Sequence, residues 1–322
     1  MVLAGVQDRL APLQSWLFPR RVFLQLEDLA LTALVLNGRR LRWLERVVLP
    51  EGLCRDGIPQ EPEALGDFVG DWLVERGFAG ARVRAVLPRA ATAWRVIEWP
   101  DAEWPENPEH ELMKDAEALQ LPWRLDDPAD GSDVCLTALA GVLPRSLMVA
   151  TRRSVLEGWI EVLSQAGVAL DALEPWQVCV WRGVPQPEHA DAPAGLRLML
   201  ELGVRQSWLL AIHNGEPFGE WPMPAAHEGS RLIDALDQWR REGPWSALVA
   251  DAQVLWLVSV DGLQAQIEPV SALLRQCLAW KPCHLDPLAL GWWIKPDGMA
   301  SGTESELDLA GLWGLAAGEH LS

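Results

Sequence analysis

The sequence predicts an α/β protein made by duplication, with two mixed sheets. Residues 22–38 (VFLQLEDLALTALVLNG) and 197–215 (RLMLELGVRQSWLLAIHNG) share one plan: apolar run, polar break, second apolar run, then Asn-Gly. Asn-Gly between alternating apolar runs predicts a tight hairpin turn with both turn residues at positive φ. Each copy continues into a third extended stretch, Leu41–Leu49 and Phe218–Pro222, so each half opens with a three-stranded meander. Beyond each meander come helix, strand and helix again, the alternation that packs helices on mixed sheets. Two such halves are expected to face each other across a cleft.

In the first half, EGLCRDGIPQ reads as a turn-rich loop. Pro62–Arg76 then carries Leu65, Phe68, Val69, Trp72 and Leu73 at helical spacing, with Gly77 as C-cap. Strands are predicted at Ala81–Pro88 and Thr92–Trp99, and a helix from Asn107 to Leu121, stopped by Pro122. Asp126, Asp127, Asp130 and Asp133 lack the bidentate Glu of a calcium loop and read as an acidic turn. Strands follow at Val134–Ala140 and Ser146–Thr151. Ser154 is expected to cap a helix through Gln165, and Val168–Leu173 and Pro175–Arg182 read as strand and helix.

Residues 184–195, rich in Pro, Gly and charge, form the linker. After the second meander come a helix at Ser230–Glu242, a buried strand at Val254–Val260, and helices at Val270–Leu278 and Leu307–Leu315. The expected organisation is an N-terminal helical segment (1–21), a first half (22–183) with an insertion at about 81–140, the linker, and a second half (196–322).

The formal net charge of −18 opposes a nucleic-acid partner, which needs clustered Lys and Arg. Arg39, Arg40, Arg42 and Arg46 gather on one hairpin and read as a solvated strand face. No run reaches the apolar length of a membrane span, and Asp8 and Arg9 interrupt the N-terminal apolar stretch, unlike a signal peptide. Leu10, Leu13, Trp16 and Leu17 share one helical face, read as packing on the body. The five scattered cysteines fit reduced thiols in a cytoplasmic protein. Cys277, Cys283 and His284 lack zinc-ligand spacing, and no metal site is expected. Nineteen Trp with no Tyr reads as compositional drift.

In order and spacing, these pieces resemble the actin-like ATPase superfamily, and 22–183 resembles the PilM-type pilus assembly proteins within it. The resemblance rests on Leu49-Pro50-Glu51-Gly52 with Asp56-Gly57-Ile58, and on Val86-Leu87-Pro88 followed by Arg95-Val96-Ile97-Glu98-Trp99-Pro100. It continues through Glu111-Leu112, Ala116-Glu117-Ala118, Leu121-Pro122, Val149-Ala150-Thr151 and Gln165-Ala166-Gly167-Val168 with Asp171. The second half matches in outline, with Gly311-Leu312-Trp313-Gly314-Leu315-Ala316 similar to the closing helix. The implied fold is actin-like (ribonuclease H-like) and duplicated, with a small subdomain inserted in the first half. The second-half upper subdomain is reduced, because only about 30 residues separate the second meander from Val249.

Members of the superfamily hold ATP by a tight turn in each half, where small residues let backbone N–H groups approach the anion. Against their Asp-x-Gly-Ser pattern, Gln25 takes the Asp position, Glu27 the Gly position and Asp28 the Ser position. Two carboxylates then point where a triphosphate would sit. In the second copy Glu201 replaces Asp and Gly203 is kept, while Arg205 and Gln206 replace small hydroxyl residues. The Gly-Gly turn after Val254–Val260 is reduced to Asp261-Gly262. No other nucleotide-binding or hydrolytic motif is present. The expectation is therefore no catalysis and no cofactor, with ATP and Mg²⁺ only on the alternative of an atypical actin-like ATPase.

The resemblance implies a scaffold of a type IV pilus inner-membrane platform, peripheral on the membrane through its partners. It would bind the cytoplasmic tail of a PilN-like bitopic protein, along with other platform proteins. A module like GspL of type II secretion is the other alternative, although that kind continues into a transmembrane helix. Trp94, Trp99, Trp104 and Trp123 fall in the matching subdomain and are candidates to line the groove for the tail.

Overall fold

The computed structural model describes residues 20–99, 103–114, 116–119, 121, 123–139, 144–184, 195–242, 254–259, 263–295 and 307–318. The helical face at Leu10–Leu17, the linker between Val184 and Gly195, and the turn at Val260–Gly262 lie outside them.

The first meander is β1 (Arg21–Leu26), β2 (Ala30–Asn37) and β3 (Arg40–Val48). A two-residue-looped hairpin follows, β4 (Cys54–Arg55) and β5 (Ile58–Pro59), where a loop is expected. Asp56 and Gly57 form its tip with φ of 51° and 78°, the pairing of signs that a type I′ turn requires. Helix α1 (Pro62–Glu75) starts with Pro at its first position and ends before Gly77, which takes φ 78°. Its buried Leu65, Val69, Trp72 and Leu73 share one face. Then come β6 (Arg82–Leu87), a 3₁₀ turn at Arg89–Ala91, β7 (Thr92–Glu98), α2 (Pro108–Lys114), β8 (Ser132–Leu139) and β9 (Arg145–Arg152). Helix α3 (Arg153–Gln165), β10 (Ala169–Pro175) and α4 (Trp176–Gly183) complete the half.

The second half runs β11 (Leu196–Leu202), β12 (Ser207–His213), β13 (Glu216–Met223), α5 (Gly229–Glu242), β14 (Val254–Ser259), α6 (Gln264–Leu273), β15 (Lys281–His284) and α7 (Ala310–Ala317). Between β13 and β14 the described residues hold one helix and no strand. No helix among them is long and apolar enough to cross a membrane.

The two five-stranded sheets have the same order. One is β3-β2-β1-β6-β10 and the other β13-β12-β11-β14-β15, each an antiparallel meander extended by two parallel strands. The duplication is therefore topological as well as sequential. The small β15 completes the second sheet and is absent from the sequence prediction. It has only four residues, and its Pro282 weakens any strand signal.

Several expected elements move. The insertion expected at about 81–140 consists of the sheet β7-β9-β8 and spans Thr92–Arg152. β6 belongs instead to the parent sheet, because it pairs in parallel with β1 from Arg21↔Arg82 to Gln25↔Val86. The helix expected to reach Leu121 stops at Lys114 and resumes as a 3₁₀ turn at Ala116–Leu119; Leu112 is buried but its neighbour Met113 is exposed. Ser154 is not the cap of α3. Asp130 caps that helix from a distant loop, accepting from Ser154 N at 3.0 Å and from Ser154 Oγ at 2.6 Å. The acidic turn thus has one structural task.

The two Asn-Gly pairs behave differently. Asn214 and Gly215 form the second hairpin tip with φ of 54° and 87°. In the first, Asn37 pairs with Arg40 and the tip is Gly38-Arg39, with Gly38 alone at positive φ, as type II′ demands. A bulge between Val35 and Leu36 displaces the register by one residue.

One buried cluster joins the halves. Phe23, Leu34 and Val86 meet Met199, Leu210 and Ile212 around Leu312 and Leu315 of α7. Each fully buried side chain of this size contributes about 1.5–3 kcal/mol. Helices α4 and α7 pack at near-contact of their backbones, because Gly314 lies where a Cβ would overlap the Cys179 carbonyl.

Candidate functional site

Register places Gln25 and Glu201 at matching points. Gln25 is next to last on β1, between Thr32 of β2 and Val86 of β6; Glu201 is next to last on β11, between Trp208 of β12 and Val258 of β14. Both lie at the carboxyl ends of parallel pairs, where open α/β sheets form their ligand crevices. Both are buried, each 2% exposed. The environments differ.

In the first half, Gln25 Nε2 donates to Glu27 Oε1 at 2.9 Å and to the Asp308 carbonyl at 3.4 Å. Gly311 of α7 approaches so closely that a Cβ there would lie 2.8 Å from Gln25 Oε1. The two carboxylates do not converge on an anion position. Glu27 pairs with Arg46 of β3 at 2.8 Å. Asp28 turns to the β4–β5 hairpin and accepts from Asp56 N at 3.0 Å and Gly57 N at 2.6 Å. Its carboxylate thus occupies the kind of backbone nest that otherwise binds an anion.

In the second half, the Glu201 carboxylate receives Arg89 Nε at 3.0 and 2.8 Å. Arg89 comes from the first half, on the turn that follows β6 and Pro88. Its Nη2 reaches Glu220 of β13 at 2.9 Å, and its guanidinium lies 5.2 Å from the Trp208 ring centre. Burial works against the Arg89 charge, and Glu201 and Glu220 outweigh it and keep the group protonated. Burial pushes Glu220 up to about 7, partly offset by Arg89. Gly203 is buried in the β11–β12 turn, its N–H reaching Ser207 Oγ at 3.4 Å. The small hydroxyl missing at Arg205 and Gln206 is thus present one residue later, turned inward.

This donor set does not suit a magnesium triphosphate. The position from which the second-half carboxylate would hold a metal-bound water is filled by a guanidinium. The first-half turn presents Glu27 in place of the glycine whose backbone would approach a phosphate. Sequence reasoning missed Arg89 and Glu220. The available signal was an arginine directly after Pro88 at the end of a buried parallel strand, where an uncompensated charge demands a partner.

The four tryptophans do not share one groove. Trp94 is buried in the cluster that joins the halves. Trp99 is buried in the insertion and donates to Ser146 Oγ at 3.0 Å. Trp123 packs against the same small cluster, donates to Ser132 Oγ at 3.1 Å and stacks 6.0 Å from Arg152. Trp104 is 49% exposed. Alternation on β7 and the core of the insertion claim three of the rings. Trp94 does line a cleft of about 220 Å³ between β7 and β13, together with Glu98, Phe218, Glu220 and Trp221. Cys277 is exposed and Cys283 and His284 lie on β15; among the described residues no group of His, Cys, Asp and Glu is placed to hold a metal.

No protein-family model and no curated protein matches the sequence. Solved structures do match. A chain described as "PilM-PilN type IV pilus biogenesis complex" superposes with a TM-score of 0.66 at 18% identity, covering 94% of this chain and 99% of that one. A Bacteroides thetaiotaomicron protein with actin-like ATPase fold and unknown function gives 0.50 at 9% identity, covering 92% and 96%. The cytoplasmic domain of EpsL, an inner-membrane component of the Vibrio cholerae type II secretion system, gives 0.47 at 13% identity, covering 94% and 95%. With its two five-stranded sheets of matching strand order, the chain has the actin-like ATPase fold, shared with a chain of the PilM–PilN complex.

Proposed function

We propose that this chain is a non-catalytic actin-like scaffold of a type IV pilus inner-membrane platform, and that it binds the cytoplasmic tail of a PilN-like membrane protein. The observation that carries the non-catalytic part is the Arg89–Glu201–Glu220 cluster. An arginine of one half neutralises the carboxylates of the other where a nucleotide enzyme of this fold would need a cation and a phosphate chain. The fold shared with a chain of the PilM–PilN complex supports the choice of machine and partner class. On this reading the protein sits in the cytoplasm, held at the membrane through its partner.

Calorimetry with Mg-ATP tests the non-catalytic part. The expected result is no binding up to about 1 mM, weaker than about −4 kcal/mol. Binding with a micromolar Kd overturns it. Titration with the cytoplasmic N-terminal peptide of a PilN-like protein, followed by amide exchange, tests the partner. Absence of protection anywhere in the insertion, Thr92–Arg152, counts against it.

A further inference from the structure

Two open sheet edges meet beside the Arg89 cluster. Among the described strands β7 is outermost in the inserted sheet and β13 is outermost in the second five-stranded sheet. The cleft of about 220 Å³ lies between them, lined by residues of both edges. Two buried polar atoms belong to residues that line it and have no hydrogen-bond partner: Trp94 Nε1, a donor, and Glu220 Oε2, an acceptor. Trp94 is 1% exposed and the Glu220 side chain 4%. The other Glu220 oxygen is already engaged by Arg89. Buried polar groups left unmet are unfavourable, so a guest that meets both at once gains more than either contact gives in water.

We propose that this cleft binds an extended peptide segment, whose backbone carbonyl accepts from Trp94 Nε1 and whose backbone N–H donates to Glu220 Oε2. A peptide unit carries one acceptor and one donor, which matches the two unmet atoms. Strand edges on both sides offer further main-chain partners, as in strand-addition complexes. Val96, Phe218 and Trp221 supply apolar walls for alternate side chains. Of the charged residues in the walls, Glu98 and Glu220 are acidic and Arg95 is basic but already donates to the Leu119 and Trp94 carbonyls, so a phosphate-bearing guest is disfavoured. The site deepens the scaffold reading, and rests on it, by giving a partner's extended segment a place between the insertion and the second half.

The test uses the whole chain labelled with ¹⁵N at the tryptophan indoles. The probe is the blocked tripeptide N-acetyl-trialanine-N-methylamide, with Mg-ATP as a parallel arm. Trp94→Phe identifies the Trp94 indole signal. The expected result is a saturable downfield movement of that signal with the tripeptide, and an affinity about tenfold weaker in Glu220→Gln, near 1.4 kcal/mol. No saturable movement up to about 20 mM, weaker than about 2 kcal/mol of binding, overturns the proposal. So does movement that Glu220→Gln leaves unchanged. If Trp94→Phe does not fold, tripeptide calorimetry on the wild type and Glu220→Gln decides by the same ratio. Tripeptide failure without ATP binding sinks this site alone, whereas ATP binding sinks the scaffold reading as well.

Discussion

Removing Arg89 should loosen the junction between the halves more than any other single charge change. Arg89→Met deletes the guanidinium and keeps most of the apolar stem. Glu201 and Glu220 then face each other, both nearly excluded from water. At an effective dielectric constant near 20, each ion pair about 4 Å between charge centres is worth about 4 kcal/mol before desolvation. Glu220 already rests near its midpoint at neutral pH, being raised to about 7, so the second pair contributes only part of its full value. Stranding one buried charge typically costs about 3–5 kcal/mol, and that is the expected loss at pH 8. The measurement is urea unfolding followed by tryptophan fluorescence. The deficit should shrink toward pH 5, because protonating the stranded carboxylates removes their charge. Replacing all three residues together by apolar residues of similar volume should recover most of the loss. A deficit below about 1 kcal/mol, or one equal at pH 5 and pH 8, would refute the claim that this arginine neutralises the cleft.

Three further outcomes follow from the same geometry. Glu220 has a folded value of about 7 against an ordinary 4.5, so the folded chain holds an extra proton between them. Its contribution to stability is complete below about 4.5 and lost as pH rises through about 7, an effect on the order of 3 kcal/mol, and Glu220→Gln should flatten that part of a pH–stability curve. Gly314→Ala places a methyl group on the Cys179 carbonyl, and should cost more than about 3 kcal/mol or prevent folding, read by thermal unfolding. Asp28→Ala leaves the N–H groups of Asp56 and Gly57 without their acceptor, and should cost about 1.5–3 kcal/mol while speeding proteolysis between Leu53 and Ile58.

The fold was legible where a pattern repeats. The two meanders, the helix Pro62–Glu75 with its Gly77 stop and the parallel strand Arg82–Leu87 follow from apolar spacing and turn chemistry. What escaped was set by distant partners. The first hairpin tip slipped from Asn37-Gly38 to Gly38-Arg39 because a bulge upstream changed the register. Asp130 took the capping task that Ser154 was expected to perform, across a gap of sequence that no local rule spans. Gln25, Glu27, Asp28 and Glu201 stand out in the sequence as unusual for a phosphate site, but where their side chains go was not legible there. Glu27 turned to Arg46, Asp28 to a hairpin nest and Glu201 to an arginine of the other half. A carboxylate's direction depends on which cation or N–H lies within reach, and that is fixed only when sheets and loops assemble.

That dependence also bears on how the cleft behaves. In a nucleotide enzyme of this fold, ligand and cation link the halves, so their relative position follows occupancy by mass action. Here the link is made by residues of the chain itself: Arg89 bonds Glu201 and Glu220, and the apolar cluster around Leu312 and Leu315 continues behind it. An intramolecular tie is present at every ligand concentration, so on the proposed reading closure stops being a signal. A scaffold of the kind proposed would benefit from this, because a peptide held between β7 and β13 would contact elements from both halves and need them at a fixed spacing. If the arginine sets that spacing, the Arg89→Met variant should bind the tripeptide probe at least about fivefold more weakly, roughly 1 kcal/mol, even under conditions where it remains folded. Unchanged affinity in a folded Arg89→Met chain would mean that the apolar cluster alone fixes the halves, and that the arginine only compensates the charge of Glu201.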